Sequence, residues 1–92
     1  MTVLILERIP GKVRGELTRW MLEVADGVFV NRLSPTVRES LWDLVCRSAR
    51  PRTAAVLLFA PNADQGFTLR YHGKPTYQIG DFDGLFLVRS PS

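Results

Sequence analysis

Apolar and polar positions change period several times along this chain, and each change marks an element. Residues 3–6 form a short unbroken apolar run, which predicts a buried strand. Pro10-Gly11 breaks it. From Lys12 the spacing becomes helical: Val13, Leu17, Trp20, Met21 and Val24 share one arc, while Glu16, Arg19 and Glu23 fall opposite. The pattern predicts one helix reaching Asp26-Gly27, with Arg19 and Glu23 four apart and able to pair, and with Leu22 off the stripe. Val28-Phe29-Val30 reads as a short strand. Ser34-Pro35 opens a second helix, with serine as N-cap and proline at the first helical position, where its missing N–H is harmless. Val37, Leu41, Leu44 and Val45 make its buried stripe, with Trp42 and Cys46 on the flank. Arg47 and Arg50 suit its C-terminal end, and Pro51 stops it.

Residues 53–60 (TAAVLLFA) are nearly all apolar, which predicts a central strand covered on both faces. Residues 61–66 are a polar turn. Phe67, Leu69 and Tyr71 then alternate with Thr68, Arg70 and His72, as in a half-exposed strand. Residues 76–79 read as a short extended piece, residues 81–84 as a turn, and residues 85–88 as a last strand. The order β-α-β-α-β-β predicts a right-handed βαβ start and two helices on one face of a mainly antiparallel sheet. That is an α/β (α+β) fold of ferredoxin-like sandwich type. The surplus C-terminal strands are left to extend a sheet edge, of this subunit or of a second one.

A chain of 92 residues makes a single domain, residues 1–92, with one modest core, and pairing with a second copy would let each subunit hide an apolar face. Hydrophobic content of 46% with 23% charged excludes a disordered chain. The net charge of +3 is mild, but ten of the twelve basic residues are Arg. The guanidinium fork grips phosphate bidentately, so the bias favours an anionic partner such as nucleic acid; a GC-rich genome would produce the same bias. One cysteine and one histidine exclude an internal disulfide and a Cys/His metal cluster. The opening apolar run is too short for a signal peptide and has no basic leader. No apolar run approaches the ~18 residues of a membrane span. The expected location is the cytoplasm.

Candidate chemistry gathers in LERIPGKVRGELTRW, residues 6–20. Glu7 ends the first strand, and Arg8, Lys12, Arg14 and Arg19 follow around Pro10-Gly11 and Gly15. Lys12 and Arg14 fall at a predicted helix start, where free backbone N–H groups already favour anions. Gly11 and Gly15 leave room for a phosphate near the backbone. Elsewhere the signals are structural. His72 is a solvent-facing strand residue, Cys46 a small buried apolar group, and Asp81 and Asp83 belong to a turn. Trp20 and Trp42 belong with the helical apolar stripes, and no aromatic row suits single-strand reading.

The runs ERIPGKVRGELTRWMLEVADGVFV, SPTVRESLWDLV, NADQGFTLRYHG and DFDGLFLV together resemble the small CRISPR-associated adaptation family, "Cas-two", in its type I-E subtype, over almost the whole chain. The resemblance implies a ferredoxin-fold homodimer seated between two dimers of the CRISPR integrase, the "Cas-one" protein. That complex holds a short duplex of foreign DNA and inserts it as a new spacer. In this reading the small subunit is a non-catalytic scaffold that clamps the duplex backbone, with Arg8, Lys12 and Arg14 at the contacting positions. Three positions depart from the subtype: Thr36 replaces a lysine, and Thr76 and Tyr77 replace an arginine pair. Arg32, Arg70 and Lys74 are the expected substitutes, with His72 nearby.

The same resemblance carries an alternative, because many relatives are metal-dependent endonucleases acting on RNA or double-stranded DNA. Glu7 from both subunits would then hold Mg²⁺ and serve as the catalytic carboxylate. Those relatives usually have Asp there, and Glu is one methylene longer. Fold analogy alone allows a third reading, a dimer binding a small metabolite, and the arginine-rich junction argues against it.

Overall fold

The computed structural model describes residues 1–61 and 66–74, and the backbone of residues 87–91. The described elements are β1 (Thr2–Glu7), α1 (Gly11–Leu17), β2 (Leu22–Ala25), β3 (Val28–Asn31), α2 (Pro35–Ser48), β4 (Ala54–Phe59), β5 (Phe67–His72) and β6 (Leu87–Pro91). They form one sheet in the order β2-β3-β1-β4-β5-β6. The first five strands pair antiparallel throughout, and β6 runs parallel to β5 of its own chain. The α+β architecture expected from the sequence is present.

Alternation along β1 explains the layering. Thr2, Leu4 and Leu6 are buried on one face, and Val3, Ile5 and Glu7 are half-buried on the other. Leu4, Leu6, Phe29, Ala55, Leu57 and Phe59 meet Val13 and Leu17 of α1 and Leu41, Trp42 and Val45 of α2 in one apolar core. Both helices therefore cover the same sheet face. β4 is buried on both sides, as its unbroken apolar run predicts. α2 begins as its sequence dictates: Ser34 Oγ accepts from the Val37 N–H at 3.2 Å, and Pro35 takes the first helical position. Trp42, expected on the flank, is buried in the core.

The first helix is shorter than its pattern suggests. α1 ends at Leu17, and residues 22–25, expected to be its last turn, are strand β2 paired with β3. Val13, Leu17 and Met21 are buried as expected, but Trp20 and Val24 are 46% and 55% exposed. The chain turns after Leu17, whose carbonyl accepts from the N–H groups of Trp20 and Met21. Two features hold the reversed strand. Gly27 takes a φ of 75°, and a Cβ there would strike the Leu6 carbonyl oxygen, so only glycine fits this hairpin turn. Glu23 accepts from the Gly27 N–H at 2.8 Å and pairs with Arg14. Arg19, expected to meet Glu23, lies 3.5 Å from Glu16 instead. With β2 counted, the order becomes β-α-β-β-α-β, the full split-βαβ arrangement of a ferredoxin-like sandwich, followed by β5 and β6.

Most of the sequence-predicted turn after β4, and the pieces at 76–79 and 81–84, lie outside the described residues. Of the last predicted strand, residues 87 and 88 fall in β6, which runs on to Pro91. Among the described residues no helix is long and apolar enough to cross a membrane.

Candidate nucleic-acid interface

The basic residues sort into two groups by their partners. Five are held by carboxylates. Arg14 pairs with Glu23, lies 3.6 Å from Asp26 and stands 6.0 Å over the ring of Phe29. Arg19 faces Glu16, and Arg47 bonds Asp43 one helical turn back at 2.8 Å. Arg38 bonds Glu39 at 3.0 Å, and Arg70 pairs with the other oxygen of the same carboxylate. Both of these guanidinium groups lie over the Phe59 ring, at 3.7 and 5.7 Å. Arg8, Lys12, Arg32, Arg50, Arg52 and Lys74 have no carboxylate partner among the described residues.

The two carboxylates that do most of this holding respond as expected. The hydrogen bond from the Gly27 N–H, with the Arg14 guanidinium, holds Glu23 below the ordinary carboxylate range against the opposing effect of partial burial. Burial pushes Glu39 upward, but the hydrogen bonds and charges of Arg70 and Arg38 together outweigh it and hold Glu39 low.

The candidate residues are thus unequally placed. Lys12 is exposed in the first turn of α1, beside an open groove between the two helices that Trp20 also lines. A Cβ at Gly11 or Gly15 would meet nothing within 4 Å, so the surface of α1 is open to close approach. Arg14 and Arg70 are committed to internal ion pairs. Arg32 follows β3, whose Asn31 pairs with Thr2 at the start of β1, so it sits at the far end of the sheet from Arg8.

Arg8 and Lys74 come together. Arg8 follows β1 and Lys74 follows β5, and they line a cleft of about 450 Å³ with Pro51, Arg52, Thr53 and Gly73. The buried Thr53 organises this corner. Its hydroxyl donates to the Arg8 carbonyl at 2.9 Å and accepts from the Arg50 N–H at 3.1 Å. Its own N–H donates to the Arg50 carbonyl at 2.9 Å. Gly73, with φ 76°, packs so closely on the Thr53 carbonyl that any Cβ would clash. Arg52 was not among the candidates read from the sequence. The signal for it was the RPR run between the end of α2 and β4, two cations about a proline just where a central strand begins.

Glu7 is half-buried at the end of β1, opposite Ala54 of β4 and beside Arg8. Among the described residues no group of three or more His, Cys, Asp or Glu side chains gathers to hold a metal. Mg²⁺ ligation, in the alternative reading, would draw on Glu7 from two protomers. His72 lies on the helix-side face of β5, in register with Ala55. Burial first, and then the Asp43 charge, push the half-buried Cys46 thiol up, with Arg70 opposing, as suits an inert packing group.

A family model described as "CRISPR-associated protein (Cas_Cas2CT1978)" matches residues 1–87 of this sequence.

Proposed function

The chain belongs to this CRISPR-associated, Cas2-type family, and from that premise we propose that it is a cytoplasmic, non-catalytic DNA-binding scaffold of spacer acquisition. In this reading a homodimer clamps the backbone of a protospacer duplex between integrase dimers. The observation that carries it is the pair of exposed cations, Arg8 and Lys12, that have no carboxylate partner among the described residues where β1 gives way to α1. A cation already satisfied inside the fold gains little from a phosphate, whereas an unpaired one releases counterions when it meets the backbone. Contact through such cations is to phosphates and is independent of sequence.

The helix-free sheet face supports the dimer. Val3 and Ile5 of β1, Val28 and Val30 of β3 and Leu58 of β4 are only half-buried there, and Leu22 of β2 is 67% exposed. A second copy laid on this face would remove that apolar surface from water. It would also double the cationic band by symmetry.

The alternative, a Mg²⁺-dependent endonuclease, draws on Glu7 alone. In it, Glu7 from two protomers would hold the ion, which supplies an activated water and charge neutralisation at phosphate. Glu7→Gln separates the two in a reconstituted reaction containing the chain, the integrase, a duplex and target array DNA. The chain is expected to sediment as a dimer, and acquisition is expected to survive the substitution. Loss of acquisition together with a Mg²⁺-dependent nuclease activity, in a variant that remains dimeric, would overturn the scaffold reading. A chain that stays monomeric at all concentrations would contradict the dimer.

A further inference from the structure

The cleft at the end of β1, β4 and β5 brings three cations from three separate segments to one place. Arg8, Arg52 and Lys74 line it, no carboxylate lines it, and none of the three is paired among the described residues. With no counter-charge in the cleft among the described residues, an anion placed there meets a favourable field. The backbone carries a cost at the same spot. Arg8 holds a left-handed φ of 55°, which is uncommon for a residue with a side chain. Thr53 keeps this arrangement in place from below, through the Arg8 carbonyl and the tight packing of Gly73 that precedes Lys74.

We propose that this cleft is a phosphate-binding site for the backbone of duplex DNA. Arg52 is a direct ligand there beside Arg8 and Lys74, and Thr53 is the positioning residue. The proposal rests on the reading of the chain as a duplex binder and adds a contact outside the α1 surface. The lining selects the ligand. It offers charge and fork-shaped donors suited to phosphate oxygens. Among the described residues it offers no aromatic face for a base and no carboxylate for a metal or a sugar hydroxyl. At about 450 Å³ it has room for a phosphodiester with its flanking sugar carbons. Because Arg52 lies two positions before the first residue of β4 and is exposed, its side chain can change without disturbing the core.

The test is the affinity of the full chain for a labelled duplex of arbitrary sequence, measured across a salt series, for wild type, Arg52→Glu and Arg52→Lys. The Glu variant is expected to bind more weakly and to lower the slope of log affinity against log salt by about 1 for each cleft engaged. The Lys variant is expected to keep the slope. Unfolding profiles should superimpose. Wild-type affinity and slope in Arg52→Glu would overturn the cleft while leaving the scaffold reading standing; no duplex binding by wild type even at low salt would overturn both. Single-stranded RNA displacing the duplex from wild type more effectively than unlabelled duplex would also overturn the assignment.

Discussion

Arg8 alone among the described non-glycine residues takes a positive φ, and it is also an exposed cation without a carboxylate partner. Those two properties can be separated. A left-handed conformation costs a non-glycine residue about 1–2 kcal/mol, and glycine adopts it freely but gives back about 0.5–1 kcal/mol of chain entropy. Arg8→Gly is therefore expected to leave stability unchanged or raise it by up to ~1 kcal/mol in chemical denaturation, while weakening duplex binding. A variant that is less stable and binds as wild type would mean that Arg8 is a structural residue. The contrast with Arg14 and Arg70 is instructive. All three look alike in the sequence, but Arg14 is bound to Glu23, and Arg70 to Glu39 with its guanidinium over Phe59. Charge type and position were legible from residue spacing; whether a carboxylate 9 or 31 positions away already claims the charge was not.

The β2–β3 hairpin shows the same limit in an element. Val13, Leu17 and Met21 recur at helical spacing and are all buried, so the period itself was a true signal of what faces the core. It continued past the helix by coincidence, and long-range pairing with β3 decided otherwise for residues 22–25. Elements with local markers were read closely: the Ser34-Pro35 cap, the uniform apolarity of β4 and the alternation of β5 each specify themselves without a partner. The hairpin depends on Glu23, whose carboxyl is held below its ordinary range by the Gly27 N–H and Arg14. A carboxylate with a depressed folded pKa adds stability that is fully present above its unfolded value, near ~4.3, and is lost as pH falls through the folded value. Thermal stability is thus expected to drop on acidification below the ordinary carboxylate range. Glu23→Gln should be less stable near neutrality and show a shallower acid limb. Parallel limbs in the two proteins would remove Glu23 from the account. Glu39, also held low, contributes to the acid limb of both proteins and cancels in the difference.

For the whole molecule, the sheet divides the labour. One face is filled by two helices, and the other leaves apolar positions over β1 and β3 half-buried, where a second copy would fit. Arg8, Lys12, Arg52 and Lys74, unpaired among the described residues, lie where β1 passes into α1 and where β4 begins and β5 ends, while Arg32 lies at the opposite end of the sheet. Fold class and family were legible in the sequence because both depend on patterns spread over the whole chain. The cleft was not, because Arg8, Arg52 and Lys74 are brought together only by the β1–β4 and β4–β5 pairings. The most direct test of the central claim is duplex affinity as a function of salt for wild type and Lys12→Glu. Lys12 is exposed and unpaired among the described residues, so its reversal disturbs contact rather than fold. The account expects steep, sequence-independent weakening with salt in the wild type. In the variant it expects weaker binding and a slope lower by about 1 for each contact removed. Duplex affinity that is indifferent to salt, or a Lys12→Glu chain that binds as tightly as wild type, would contradict it.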